Sequence, residues 1–169
     1  MMTPRVSIIM GSTSDLPMMK KAADLLEEMQ VPFEIQALSA HRTPQEVEKF
    51  ATECEDRGVQ VIIAAAGMAA HLCGVIASMT PLPVIGVPIS ASLQGLDALL
   101  AIVQMPPGIP VATVGIDASL NAALLAVQIL SVGDPELRAR FKAYKRNLKN
   151  KIVEANKQLS ELKYLHKTN

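Results

Sequence analysis

Five short apolar runs, separated by stretches of helical periodicity, constrain this chain more than any other feature. They are VSIIM (6–10), FEIQAL (33–38), VQVIIAAA (59–66), PVIGVP (83–88) and PVATVGI (110–116). Most are nearly continuous in apolar residues rather than alternating. Strands covered on both faces read this way, and such cover comes from crossover helices on a parallel sheet. Helices are expected between them over 17–29, 44–57, 69–79, 96–103 and 118–130. Strand–helix alternation through five units implies a doubly wound α/β sandwich.

Asp134-Pro135 opens a different segment. Leu137, Phe141, Tyr144, Leu148, Ile152, Ala155, Leu159 and Leu162 recur at threes and fours. That is a long amphipathic helix with at most one break. No strand follows for it to cover, so its stripe lies on the body or, in part, on another subunit. The 169 residues therefore read as one α/β domain, 1–134, with a C-terminal helical arm, 135–169. Charged residues are 19%, below the usual quarter or so, which suits a surface partly hidden in an oligomer.

Charge is unevenly spread. Residues 1–134 hold 6 Lys+Arg against 13 Asp+Glu, and 135–169 hold 10 against 3. The basic arm reads as a solvated face or a tail pairing with an acidic body. It carries no recognised nucleic-acid motif, so no nucleic-acid partner is expected. No apolar run approaches the roughly 20 residues of a membrane span. The N-terminus lacks the apolar core and cleavage site of a signal peptide. Cys54 and Cys73 make neither a disulfide framework nor a zinc set. A soluble, reduced, cytoplasmic protein is expected.

In a parallel α/β sheet, ligands bind beyond the carboxyl ends of the strands. After the first run comes Gly11-Ser-Thr-Ser-Asp15. Gly11 suits a tight turn, Ser12, Thr13 and Ser14 offer hydroxyls, and the next helix offers free N–H groups to an anion. A plain N-cap at Ser14 or Asp15 is the competing reading.

After the second run comes SAHRTP, Ser39 to Pro44. Thr43-Pro44-Gln45-Glu46 fits a capping box, which would place His41 and Arg42 just before the helix at the ligand end. Arg42 suits a phosphate clamp. An imidazole at His41 can accept or donate a proton near neutral pH.

After the third run comes Gly67-Met-Ala-Ala-His71-Leu-Cys-Gly74. Its small residues suit close approach of backbone to ligand. His71 either contacts that ligand or orients the loop. Cys73 lacks an evident base and is not expected to be a nucleophile. Ser90–Gly95 and Asp117–Asn121 could complete a pocket. No His or carboxylate cluster is spaced for a metal, and no aromatic set would sandwich a flavin. These loops together suggest a small phosphorylated ligand and proton-transfer chemistry.

MGSTSD, SAHRTP, GMAAHL, GLDALLAIVQMPPGIPVATV and NAALLA, in this order and spacing, resemble the PurE family over about residues 5–133. The resemblance implies a flavodoxin-like three-layer α/β/α sandwich, assembled as a homo-octamer with sites near subunit interfaces. It implies no metal and no organic cofactor. The implied reaction converts N5-carboxyaminoimidazole ribonucleotide to the 4-carboxy isomer in de novo purine synthesis, through decarboxylation and recapture of carbon dioxide.

By motif match, His41 is the proton shuttle. Ser12, Ser14 and Arg42 hold phosphate, beside Gly11, and Asp15 holds the ribose hydroxyls. Ser39 and Ala40 line the pocket. Gly67, Met68, Ala69 and His71 sit at the base and the migrating carboxylate. Ala65 and Met68 stand where the family commonly has Gly, and Cys73 where it has Pro. The AAHL signature, residues 69–72, favours the mutase over the family's second class, which carboxylates aminoimidazole ribonucleotide directly. A non-catalytic nucleotide-binding module is the remaining alternative.

Overall fold

The computed structural model describes residues 3–169. Five strands, β1 (Val6–Met10), β2 (Phe33–Ala37), β3 (Val61–Gly67), β4 (Val84–Ile89) and β5 (Ala112–Thr113), form one parallel sheet in the order β2-β1-β3-β4-β5. This is the flavodoxin-like order, with β1 flanked by β2 and β3. The helices are α1 (Leu16–Glu28), α2 (Pro44–Glu53), α3 (Leu72–Ala77), α4 (Leu96–Val103), α5 (Ser119–Leu130) and α6 (Pro135–Ser160).

Alternation along the strands builds the two outer layers. Ile8 and Met10 of β1, Ile63 and Ala65 of β3, and Ile85 and Val87 of β4 point to one face, where α1, α5 and the start of α6 cover them. Ile9, Ile62, Ala64 and Val84 point to the other, under α2, α3 and α4. Parallel register stacks Ile8 on Ile63 and Ile63 on Ile85. All three are fully buried, each contributing about 1.5–3 kcal/mol of transfer free energy.

Several elements differ from the sequence expectation. β2 is an edge strand and only partly covered. Its Glu34 accepts from Ser7 Oγ at 2.5 Å and from Arg57 Nη1 at 2.9 Å, which satisfies the fully buried Ser7 hydroxyl. β5 shrinks to two residues of its apolar run, although Val114 N still donates to Gly86 O at 3.1 Å and Asp117 N to Pro88 O at 2.9 Å. Pro110, with no N–H to give a ladder, sits where the run begins. α2 ends at Glu53 and α3 begins only at Leu72, after a loop with Met68 in the left-handed region.

α6 is continuous for 26 residues. Asp134 caps it by accepting from Leu137 N at 2.9 Å and also pairs with Arg5 at 2.7 Å. Leu137 and Phe141 are buried on the body, and Arg140 Nε donates to Met29 O at 2.9 Å. Beyond Tyr144 the stripe leaves the body, and Leu148, Ile152, Leu159 and Leu162 are exposed. No helix among the described residues is long and apolar enough to cross a membrane.

Candidate active site

The loops after β1, β2 and β3 meet at the carboxyl edge of the sheet around a cleft of about 570 Å³. Gly11, Ser12, Ser14, Asp15, Ser39, Ala40, His41, Arg42, Gly67, Met68, Ala69 and His71 all line it. These twelve motif residues are thus brought to one place, whereas Thr13, whose hydroxyl was also a candidate, does not line the cleft. Ala66, Leu72 and Ala91 line it as well. Ala66 and Leu72 flank the motif residues, while Ala91 lies in the small polar loop after β4, whose sequence alone gave only a weak signal.

In the first loop, Gly11 N continues the ladder to Ala65 O at 3.1 Å. Gly11 does not make the expected tight turn. Its φ is not positive, and a Cβ there would meet only Ala65 O at 3.9 Å. Ser12 is extended, and its Oγ accepts from Ser14 N at 3.3 Å and lies 3.0 Å from Ser14 Oγ. Ser14 Oγ is also 3.3 Å from Asp15 Oδ1. A hydroxyl has one proton, so Ser14 can donate to only one of these two neighbours at a time. Asp15 stands where α1 begins, yet its side chain caps nothing. Burial pushes its carboxyl up from the ordinary 3.8, opposed by hydrogen bonds from Ser14 and the Ser12 backbone.

The second loop closes on itself. Thr43 N donates to Ser39 O at 2.8 Å, and Ser39 N donates to Thr43 Oγ1 at 2.9 Å. The Thr43 hydroxyl donates back to Ser39 O at 3.1 Å. The expected capping box is therefore not formed. Thr43 holds the cap position, but its hydroxyl is spent on Ser39 rather than on the start of α2. What it secures is the loop that carries His41 and Arg42. Arg42 N and Nε reach Ser39 Oγ at 3.2 and 3.4 Å, and Arg42 Nη2 donates to Gly11 O at 2.9 Å.

In the third loop, close packing demands Gly67. A Cβ there would stand 2.9 Å from Ala91 Cβ and 3.3 Å from Ile89 O. Met68 follows with φ 56°, a conformation that costs a non-glycine residue roughly 1–2 kcal/mol. His71 N donates to Ala69 O at 2.8 Å, which turns the chain into α3. His71 Nδ1 then lies 2.8 Å from His41 Nε2, with the rings edge to face. Of the two roles left open for His71, contact with a ligand or orientation of its loop, neither included this pairing.

Other candidates fall away. Cys73 is fully buried beneath α3, its Sγ 3.3 Å from Ala64 O, and burial pushes its thiol up to about 12. Asp117 does not line the cleft; its Oδ1 accepts from Ser90 N at 3.0 Å and ties the end of β5 to the loop after β4. Among the described residues no three His, Cys, Asp or Glu side chains gather as a metal ion would need. Among the described residues no Phe, Tyr or Trp lines the cleft.

Hydroxyls, a guanidinium, a carboxyl and two imidazoles around a small cleft suit a phosphorylated, hydroxylated ligand with proton transfer at one end. The AIR carboxylase family matches the chain over residues 5–151. The N5-carboxyaminoimidazole ribonucleotide mutase of Pyrococcus horikoshii is 58% identical over 160 residues, 94% of this chain and 90% of that one. The enzyme of the same name from Thermotoga maritima is 52% identical over 162 residues, 95% of each chain. The crystal structure of Treponema denticola PurE superposes with a TM-score of 0.84 at 34% identity, covering 92% of this chain and 98% of that one. The chain belongs to the AIR carboxylase family.

Proposed function

We propose that this protein is an N5-carboxyaminoimidazole ribonucleotide mutase, moving a carboxylate from the exocyclic nitrogen to ring carbon 4 of its substrate. One observation carries the reading: the motif residues of three loops converge on one cleft in a chain 58% identical to an enzyme of that name. The reaction belongs to purine biosynthesis.

The substrate phosphate sits at the start of α1 against Ser12, Ser14 and Arg42, beside Gly11. There two hydroxyls and a guanidinium favour an anion; the backbone N–H groups of Ser14, Asp15 and Leu16 are spent within the loop, on Ser12 and Thr13. Asp15 accepts from the ribose hydroxyls. The base lies between the second and third loops, lined by Ser39, Ala40, Gly67, Met68 and Ala69.

The N–C bond to the carboxylate breaks, releasing carbon dioxide, and the exocyclic nitrogen takes a proton from His41. Carbon 4 attacks the trapped carbon dioxide. His41 then removes the carbon-4 proton, and the electron pair of that C–H bond restores the aromatic ring. Protons balance over the cycle. A positioned shuttle of this kind is worth roughly 10²–10⁴-fold in rate. Trapping carbon dioxide is a proximity device, since recapture must outrun escape. These steps use only groups of the chain and the substrate.

The protein works in the cytoplasm as a homo-octamer. The exposed stripe of α6 beyond Tyr144 and the exposed Leu96, Leu100 and Val103 of α4 are apolar surface for neighbouring copies.

The test is conversion without ATP and with a chelator present. N5-carboxyaminoimidazole ribonucleotide goes in one tube, aminoimidazole ribonucleotide with modest bicarbonate in another. Fast 4-carboxy product from the first alone supports the mutase. Product mainly from the second means direct carboxylation, and product in neither means a binding module.

A further inference from the structure

His41 and His71 lie 30 residues apart in sequence, yet His41 Nε2 is 2.8 Å from His71 Nδ1. Their ring centroids are 4.9 Å apart and the planes cross at 80°. At that separation one proton must lie between the two nitrogens. Two facing N–H groups would clash, and two facing lone pairs would repel. One ring nitrogen of His41 is therefore committed to His71, and only Nδ1 is left for a substrate.

We propose that His71 is a positioning residue for His41. His71 Nδ1 accepts from His41 Nε2–H, which fixes the ring and its tautomer and leaves His41 Nδ1 as the basic nitrogen. The inference rests on the proton-shuttle reading above and adds to it which nitrogen acts and what orients it.

In the final step the carbon-4 C–H bond breaks, its electron pair returns to the substrate ring, and the proton lands on His41 Nδ1. The resulting imidazolium still donates Nε2–H to His71, now as a charge-assisted and stronger bond. The contact thus strengthens as charge develops on His41, which is when it lowers the barrier.

The backbone supports this role. His71 is held by its N–H to Ala69 O at 2.8 Å, and its own carbonyl accepts from Val75 N at 3.0 Å. On the other side, the Ser39–Thr43 bonds hold the loop of His41. Both rings therefore start from fixed backbones. In the order β2-β1-β3, the loops after β2 and β3 reach toward each other across the end of β1.

Three full-length proteins test the proposal: wild type, His71→Ala and His71→Asn. An Asn amide places an acceptor near where His71 Nδ1 stands, whereas Ala removes it. His71→Ala is expected to lower kcat about 10- to 100-fold with KM little changed, since a misoriented group costs up to about 10². His71→Asn should recover much of that loss.

Nitrogen-15 spectra of the His41 ring, taken without substrate, supply a second reading. In the neutral form of the ring, reached by raising the pH until the imidazolium has lost one proton, the remaining proton should sit on Nε2 in wild type and His71→Asn and distribute between both nitrogens in His71→Ala. Unchanged kcat in His71→Ala, or a His41 ring with the same tautomer in all three, overturns the proposal. A wild type inactive on both substrates overturns the functional reading instead, while the spectra still decide which nitrogen His71 holds.

Discussion

Arg42 Nη2 donates to Gly11 O at 2.9 Å, joining the loop after β2 to the loop after β1. The same guanidinium reaches Ser39 Oγ through Nε at 3.4 Å. Two of its five N–H groups are directed at the protein, and the rest are free for an anion. Hydrogen bonds to charged groups are worth about 1.5–3 kcal/mol, so Arg42→Ala should raise KM roughly 10- to 100-fold. Arg42→Lys should fall between, keeping the charge and losing the fork. Steady-state kinetics check this, and an unchanged KM in Arg42→Ala would remove Arg42 from the phosphate site.

Cys73 should be chemically silent. With its thiol pushed up to about 12 and its side chain fully buried, almost no thiolate exists at pH 8. Cys54 is buried as well, and burial raises its thiol too. A thiol reagent added to folded protein should label neither residue, and urea should expose both. Rapid labelling of Cys73 in the folded protein, with loss of turnover, would contradict this and make Cys73 a reactive group.

Met68 holds φ 56° without being glycine, and its side chain is 61% exposed. Met68→Gly removes a left-handed penalty of about 1–2 kcal/mol but adds about 0.5–1 kcal/mol of backbone entropy, so stability should be unchanged or rise by up to about 1.5 kcal/mol. Met68→Val puts a β-branched side chain in the same place and should cost more, within about 1–3 kcal/mol. Urea unfolding of the two variants distinguishes them. Equal stability would show that this turn relaxes freely.

Asp134 supplies an acid-sensitive anchor for α6. Hydrogen bonding from Leu137 N and then Arg5 holds its carboxyl below the ordinary 3.8. A carboxyl with a depressed folded value stabilises the fold above its unfolded value and loses that contribution as pH falls through the folded one. Asp134→Asn keeps a capping side chain but loses the ion pair. It should be less stable than wild type at neutral pH, and the gap should close in acid below the ordinary carboxylate range. A gap that persists in acid would assign the effect to packing rather than charge.

The far half of α6 should matter for assembly and not for folding. Leu137, Phe141 and Tyr144 pack on the body, whereas Leu148, Ile152 and Leu159 do not. A chain ending at residue 147 should unfold cooperatively yet give a smaller particle by light scattering. The same particle size would show that this stripe is not an interface.

The sequence was most legible where the structure depends on local pattern. β1 matches its apolar run, and α4 runs from Leu96 to Val103 as expected. Both are short apolar segments bounded by polar or turn residues. β5 was overdrawn because its pairing is set by β4 and not by its own apolar content. The capping box failed at Thr43 because the hydroxyl had a second partner, Ser39, four residues earlier. Periodicity and spacing do not rank two such partners.

The cleft residues were legible because ligand loops follow strand ends, a rule that needs only the order of elements. The bond between His41 and His71 was not, because it depends on β1 lying between β2 and β3, and order along the chain does not set order across the sheet. The loop Ser90–Gly95 was only a weak signal for the same reason, although its Ala91 does line the cleft. Ala91 reaches the cleft only because Gly67 lets the two loops touch.

The central claim is that His41 moves the proton. Turnover of N5-carboxyaminoimidazole ribonucleotide by His41→Asn, measured beside wild type together with substrate binding, tests it most directly. A folded protein that still binds substrate and loses about 10²–10⁴-fold or more in turnover is expected. Near-normal turnover in that variant would contradict it.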